Sequence, residues 1–215
     1  MKNPSRYIAA FTSGSTFLLM PRPALAMHIS EGILPLPWAV LWYVVAIGFV
    51  ALGLREIRIR SEQNPQYKSF LGLVGAAVFV ISCLPIPVPT TGTSSHPAGT
   101  GLAAVLIGPG PTVVITLIAL ALQALFLAHG GLSTLGANTF SMGVMGAFAG
   151  YGVFLLARKL GASRLVGAFL AGLIADWATY IGTSLALSSA LHGGTNFLGM
   201  FVAIIIAFMP TQLFL

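Results

Sequence analysis

Residues 111 to 129 read PTVVITLIALALQALFLAH, a run without a Lys, Arg, Asp or Glu. Because a helix rises 1.5 Å per residue, this stretch is long enough to cross the hydrocarbon core of a bilayer, which is roughly 30 Å thick. The whole chain shares this character, since 57% of its 215 residues are hydrophobic and 7% are charged. Soluble domains carry about 25% charged residues. The sequence therefore predicts an all-α fold, a polytopic transmembrane helical bundle.

Apolar runs of the same kind occur along the rest of the chain. Once the amino-terminal signal described below is removed, about six to seven of them are candidate membrane segments. They cover residues 37 to 55, 69 to 84, 97 to 108, 111 to 129, 138 to 158, 164 to 190 and 196 to 213. The third run is too short to cross alone, so it is tilted, extended by its glycine-rich flank, or re-entrant. The 25 glycines are typical of helices that pack closely in lipid.

The amino terminus has the layout of a secretory signal. Two basic residues precede an apolar centre at residues 7 to 20, and Ala24-Leu25-Ala26 follows. This order predicts cleavage after Ala26, which divides the chain into a cleavable signal peptide, residues 1–26, and a transmembrane domain, residues 27–215. The alternative is an uncleaved first membrane helix, although the apolar centre falls short of the ~20 residues that spanning needs.

Lysine and arginine residues of the mature chain fall in two loops, after the first and the fifth segments. They are Arg55, Arg58, Arg60, Lys68, Arg158, Lys159 and Arg164. Basic loops stay in the cytoplasm, so we expect a multi-pass protein of the cytoplasmic (inner) membrane with its mature amino terminus outside. The same threading places all four histidines outside, namely His28, His96, His129 and His192. Topology therefore explains the net charge of +6, and no nucleic-acid partner is expected.

Cleavage after Ala26 would give Met27 a free amine, next to His28. That amine, the backbone amide of His28 and its imidazole are three nitrogens that close fused chelate rings on one metal ion. Nitrogen-rich planar geometry suits Ni(II) or Cu(II), and Co(II) where the protein imposes it. Because the ligands must lose protons to bind, we expect affinity to fall with acidification. One position in the plane remains for a second imidazole.

His96 is the candidate for that position. It lies in a loop of glycines and hydroxyls, residues 90 to 101, which can pack its backbone tightly. Spacing alone leaves open a structural loop histidine instead. The side chains that are candidates to orient the metal ligands through hydrogen bonds are Glu31, Ser94, Ser95 and Thr100. For Glu31, an exposed loop carboxylate is the alternative.

At these residues the chain resembles the CbiM/NikM family, the substrate-binding membrane subunit of cobalt and nickel energy-coupling-factor (ECF) transporters. The resemblance rests on MHISEGIL (27–34), SHPAGTG (95–101) leading to LIGP (106–109), QALFLAHGGL (123–132) and TLGANTFSM (134–142). It covers nearly all of residues 27–215. It implies that the Met27 amine, the His28 amide and imidazole, and the His96 imidazole hold the ion, in agreement with the chelate argument.

The resemblance also implies a function and partners. It implies the substrate-capture (S) subunit of a cobalt importer that supplies Co(II) for cobalamin biosynthesis. Ni(II) uptake is the alternative, although the His-Pro-x-Gly-Thr-Gly loop is closer to the cobalt branch, CbiM. The ion is cargo, and no cofactor is expected. The implied partners are a transmembrane coupling (T) subunit, cytoplasmic ATPase subunits and a small accessory membrane subunit.

Hydrolysis of ATP is expected in those partners, since the chain has no G-x-x-x-x-G-K-[ST] motif. The chain itself is therefore not expected to be an enzyme. Family members usually continue after Gln212 with another apolar, acid-containing segment, so a carboxyl-terminal truncation is also an expectation.

Several other polar residues have two interpretations. His129 and His192 each precede two glycines, and a helix-end imidazole is the commoner role there than an entry-site ligand. Asp176 lies in an apolar run, where a carboxyl is costly; a hydrogen bond to a neighbouring helix is expected first, and a role in ion passage second. Asn138 and Thr139 are expected to cap a helix, with a structural role near the metal loop as the alternative.

Two functions from other classes compete with metal capture. A membrane metalloenzyme is disfavoured because the chain has no H-E-x-x-H helix and its few carboxylates are not paired near histidines. A structural assembly subunit without its own ligand would behave independently of metal.

Overall fold

The computed structural model describes residues 28–84, 86–88, 93–193 and 196–212. The expected signal peptide, residues 1–26, and Met27 lie outside them. The helices are α1 (Leu36–Gln63), α2 (Tyr67–Ser82), α3 (Thr100–Ile107), α4 (Pro109–Phe126), α5 (Leu135–Lys159), α6 (Arg164–Leu191) and α7 (Phe197–Gln212). Two short strands, β1 (Ile86–Val88) and β2 (Thr93–Ser95), pair antiparallel between α2 and α3. The prediction of an all-α, polytopic membrane bundle is confirmed.

The helices of the described residues follow the predicted apolar runs. Helices α1, α4, α5 and α6 are long and apolar enough to cross a membrane, and α2 and α7 are shorter apolar helices. Helix α3, from the third run, has 8 residues and is about 12 Å long, so it does not cross alone. It ends at Gly108, where a φ of 88° turns the chain into α4.

Small residues allow α3 to pack against α5 and α6. A Cβ added to Gly101 of α3 would lie 2.5 Å from the Ala171 carbonyl oxygen of α6. A Cβ on Gly150 of α5 would lie 2.7 Å from the same oxygen. The three backbones therefore approach as closely as helices in lipid do when glycine and alanine line the contact. This packing fixes the start of α3, which follows directly on the His96 loop.

Arg60 of α1 links the end of that helix to the end of α3. Its guanidinium donates to the Ile107 carbonyl (2.8 Å) and pairs with Glu56. The bond satisfies a carbonyl at the end of α3 that has no partner within its own helix. Because α1 is about 42 Å long, this end lies far from His28, which precedes the helix.

Candidate metal site

Three imidazoles meet where the amino-terminal segment, the loop before α3 and the loop after α4 come together. Nε2 of His96 lies 3.1 Å from Nδ1 of His28 and 2.9 Å from Nε2 of His129. The three nitrogens lie within 4.8 Å of one another, and the ring centroids are 4.4 to 4.9 Å apart. The structure thus brings together His28 and His96, which the sequence selects as ligands, and adds His129. We call these residues the histidine cluster.

The histidine cluster is shielded from solvent. His28 and His96 are each 3% exposed, and His129 is half-buried. Burial, with His96 and His129 nearby, lowers the pKa of His28 well below its usual 6.5. Burial and the neighbouring His129 lower the pKa of His96 to about 4, and burial lowers the pKa of His129. All three rings are therefore neutral at pH 7, the form in which imidazole binds a metal.

Two of the three separations within the histidine cluster suit one divalent cation. An ion with metal–nitrogen bonds of about 2.0–2.1 Å holds two ligands at a right angle about 2.9 Å apart. The separations from His96 to the other two nitrogens, 3.1 and 2.9 Å, are close to this value. The three nitrogens together spread to 4.8 Å, more than the roughly 4.2 Å across one such ion, so the rings must move closer for all three to bind it. Imidazole is a favoured ligand of several transition metals, so the geometry fits a transition-metal site.

His28 is positioned through its neighbour Ile29, which α5 clamps. The Ile29 N–H donates to Asn138 Oδ1 (2.8 Å), and Asn138 Nδ2 donates to the Ile29 carbonyl (3.0 Å). The Thr134 hydroxyl donates to the same carbonyl (2.6 Å). These three bonds fix the backbone that carries the His28 ring.

The expectation that Asn138 and Thr139 cap a helix is wrong. Both residues lie inside α5, and neither side chain makes a capping hydrogen bond. The alternative, a structural role near the metal loop, describes the position of Asn138. It directly precedes the π-helical stretch Thr139–Gly146, and π-helical segments occur frequently at functional sites.

The residues after Ile29 are held by the loop that follows His129. The Glu31 carboxylate accepts the Ser133 N–H (3.1 Å), and Ser133 Oγ accepts the Gly32 N–H (3.2 Å). A Cβ on Gly131 would lie 2.5 Å from Glu31 Cα, so the two backbones could not approach this closely if residue 131 had a side chain. Glu31 thus holds the amino-terminal backbone, and its described hydrogen bonds do not reach an imidazole.

His129 lies at the end of α4, as predicted, but its ring does not have the predicted helix-end role. The N–H groups of Leu127 and His129 both donate to the Gln123 carbonyl (2.9 and 3.2 Å), which satisfies that carbonyl where the helix ends. The His129 ring faces His96 instead of the last carbonyls. The signal available in the sequence was that topology places this histidine on the same face as the other three.

Gln123 is a buried residue of the site that the sequence analysis missed. Its Nε2 donates to Ser82 Oγ (2.6 Å), which ties α4 to α2. Its Oε1 and the Nε2 of His28 are both buried without a hydrogen-bond partner among the described residues. Gln123 nevertheless raises the pKa of His28, against the larger effect of burial. The signal in the sequence that could have identified Gln123 is its amide side chain within an otherwise apolar helix.

The hydroxyls proposed to orient His96 have different outcomes. Thr100 is fully buried at the start of α3, where a Cβ on Gly146 of α5 would lie 3.0 Å from its Oγ1. This contact places its hydroxyl at a helix crossing rather than against an imidazole. Ser94 and Ser95 lie in β2, directly before His96, and their side chains lie outside the described part of the structure.

His192 and Asp176 do not join the histidine cluster. His192 follows α6 with Nδ1 3.0 Å from the Ser188 carbonyl oxygen, so its predicted helix-end role is confirmed. Asp176 lines an apolar cavity of about 480 Å³ between the loop after His96 and α6. Its Oδ1 is buried with no hydrogen-bond partner among the described residues, so the expected bond to a neighbouring helix is not seen at that atom.

Comparison with known proteins adds independent evidence on the family. The family described as cobalt uptake substrate-specific transmembrane region matches residues 28–215. A cobalt transport protein CbiM of Geobacter sulfurreducens is 57% identical over 209 residues, which are 96% of this chain and 60% of that protein. A cobalt transport protein CbiM of Sorangium cellulosum is 58% identical over 187 residues, which are 87% of this chain and 83% of that protein.

Two crystal structures have the same fold. One, of a truncated transition metal transporter, has a TM-score of 0.72 at 24% identity and covers 86% of this chain and 89% of its own. The other, of a transition metal transporter, has a TM-score of 0.71 at 23% identity and covers 84% and 83%. Since the family match extends over nearly the whole described chain, this protein belongs to the CbiM family of cobalt uptake substrate-specific transmembrane regions.

Proposed function

We propose that this chain is the substrate-capture subunit of an ECF-type cobalt importer. The observation that carries the proposal is the histidine cluster, three neutral and largely buried imidazoles whose nitrogens converge. Buried imidazoles with no carboxylate among them favour a transition metal over Mg(II) or Ca(II), which prefer oxygen ligands. The family match and the cobalt transport proteins that resemble the chain support cobalt as the ion.

In this proposal the ligands are the Met27 amine, the His28 amide and imidazole, and the His96 imidazole. The orientation of the His28 ring supports the chelate. Its Nδ1, not its Nε2, faces His96, and Nδ1 is the ring atom that closes a six-membered chelate ring with the amide of the same residue. The clamp on Ile29 by Asn138 then holds the chelating residue in place from its carboxyl side.

The proposed topology places the histidine cluster outside and the Arg60 end inside. The length of α1 separates these two ends by more than the thickness of the hydrocarbon core, and basic residues gather at the inner end. The mature chain would then be a multi-pass protein of the cytoplasmic membrane that receives Co(II) at its outer face. The cobalt would serve cobalamin biosynthesis.

The proposed partners supply what a passive capture subunit lacks. The sequence carries no phosphate-binding loop motif, so cytoplasmic ATPase subunits and a transmembrane coupling subunit would provide the driving force. A small accessory membrane subunit completes the proposed assembly.

The direct test measures Co(II) binding by the purified mature chain that begins at Met27. We expect one ion per chain, loss of binding in His28→Ala and in His96→Ala, and retention in the control His192→Ala, whose ring bonds to its own helix end. One residue added before Met27 should weaken binding, because it moves the amine and turns the nitrogen of Met27 into an amide. Stoichiometric binding in both His28→Ala and His96→Ala would refute the proposal.

A further inference from the structure

A groove on the membrane-facing surface of the bundle holds a carboxyl group without a partner. The groove is the cavity of about 480 Å³ between α6, α3 and the loop after His96. Asp176 of α6 lies on its wall, and the Asp176 Oδ1 atom is buried with no hydrogen-bond partner among the described residues. The other residues that line the groove are uncharged, and most are apolar. A carboxyl group in such surroundings is costly unless a donor or a cation reaches it.

The groove opens towards lipid near the middle of the membrane. On its wall, Leu165, Phe169 and Leu173 follow one another at a spacing of four residues, which places them on one face of α6, and all three are exposed. Asp176 lies about 18 Å along α6 from its first residue and about 22 Å from its last. It is therefore close to the centre of a hydrocarbon core that is roughly 30 Å thick, out of reach of the lipid headgroups. A group that pairs with Asp176 must come from within the membrane.

The groove also borders the loop that carries a member of the histidine cluster. Pro97, Ala98 and Gly99 line the groove next to α6, and they directly follow His96 in the chain. A side chain seated against Asp176 would therefore contact the backbone that positions the His96 ring.

We propose that this groove docks a membrane-spanning helix of another subunit, which brings a lysine or arginine side chain to Asp176. Ionisable groups inside membranes usually pair with one another, and the partner that complements a carboxylate is a cation. Trp177 also lines the groove, and the face of an indole ring attracts a cation. The inference goes beyond the proposed capture of cobalt, because it concerns assembly and holds whichever ion the chain carries.

A second copy of this chain does not fit the groove in the same way. The lysine and arginine residues of the mature chain all lie within residues 55–68 and 158–164. Both segments are away from the middle of the described helices, so a second copy brings no cation to the centre of the membrane. The charge of Asp176 therefore favours a different subunit as the occupant.

The experiment uses two synthetic transmembrane peptides as probes. Each is a leucine-alanine helix of about 20 residues, with either lysine or leucine at its central position. Energy transfer from a dye on the peptide to a dye at the carboxyl terminus of the chain measures association in lipid nanodiscs. We expect the wild-type chain to bind the lysine peptide at least about tenfold more tightly than the leucine peptide. In Asp176→Asn, which keeps the shape but removes the charge, and in Asp176→Leu, this preference should fall to within about twofold.

Two glycines supply a matched pair of variants that leave Asp176 in place. A Cβ added to Gly172 or to Gly152 meets nothing within 4 Å, but Gly172 lines the groove, whereas Gly152 belongs to α5 and does not. Gly172→Leu should fill the groove and weaken binding of the lysine peptide about tenfold. Gly152→Leu should leave that binding unchanged.

Three results would overturn the proposal, in variants that unfold at the wild-type temperature. The first is equal binding of the two peptides by the wild-type chain. The second is a preference for lysine that survives in Asp176→Leu. The third is energy transfer between two differently labelled copies of the chain that Gly172→Leu abolishes, which would assign the groove to a second copy.

Discussion

Replacing Asn138 with alanine should weaken cobalt binding without removing any ligand. The Asn138 side chain makes two hydrogen bonds to the backbone of Ile29, at 2.8 and 3.0 Å. Both groups are buried, with Asn138 1% and Ile29 2% exposed. In Asn138→Ala the Ile29 N–H loses its partner, whereas the Ile29 carbonyl keeps the bond from the Thr134 hydroxyl.

The size of the effect follows from these bonds. A buried hydrogen bond contributes about 0.5–1.5 kcal/mol net, so loss of two costs about 1–3 kcal/mol. If about 2 kcal/mol of this is needed to hold His28 in its binding position, the dissociation constant for Co(II) rises roughly 30-fold. Thr134→Val removes one of the two hydrogen bonds to the Ile29 carbonyl. It should cost about half the free energy that Asn138→Ala costs.

Isothermal titration of Co(II) into the detergent-purified mature chain measures this difference. Asn138→Asp sharpens the test, because a carboxylate still accepts the Ile29 N–H but cannot donate to the carbonyl. We expect its affinity to be below that of the wild type. Wild-type affinity in Asn138→Ala, in a chain whose thermal unfolding shows an intact fold, would show that the clamp does not position His28.

Further perturbations test other parts of the site. Gln123→Leu removes the amide that raises the pKa of His28 and bonds Ser82, so Co(II) should bind about tenfold more weakly; unchanged affinity would remove Gln123 from the site. Gly131→Ala places a Cβ 2.5 Å from Glu31 Cα, so it should displace the amino-terminal segment and weaken Co(II) binding. The control Gly152→Ala, whose added Cβ meets nothing within 4 Å, should keep the wild-type affinity for Co(II). The pKa of His96 is about 4 in the folded chain, against 6.5 for an ordinary histidine. Between these two pH values the unfolded chain therefore binds more protons than the folded chain. Acidification from pH 6.5 to 4 should consequently lower the unfolding temperature of the metal-free chain. That decrease in unfolding temperature should be smaller in His96→Ala. An equal decrease in the wild type and in His96→Ala would contradict the lowered pKa of His96.

Much of the fold could be predicted because lipid imposes a simple rule. Within the described residues, the predicted apolar runs form helices, since backbone groups in hydrocarbon must be satisfied within the segment. The short third apolar run, which ends at Gly108, indicates that the helix before Pro109 is separate from the helix after it. The close packing of Gly101 against Ala171 could not be predicted, because a glycine in a membrane helix does not reveal which neighbour it contacts.

The candidate site was predictable only where the chemistry is local. The pairing of Met27 with His28 is a property of adjacent residues, so it can be inferred from sequence. The convergence of His129 with His96 depends on how α4 ends, with Ala128 in a left-handed conformation that alanine does not favour. The role of Asn138 depends on a bond across 109 residues of chain, which no local pattern reveals.

X-ray absorption of the Co(II)-loaded mature chain tests the central claim, that the histidine cluster holds the ion. We predict a first shell of nitrogen atoms at about 2.0–2.1 Å with the outer-shell scattering of imidazole rings. A shell of oxygen atoms without imidazole scattering would contradict it.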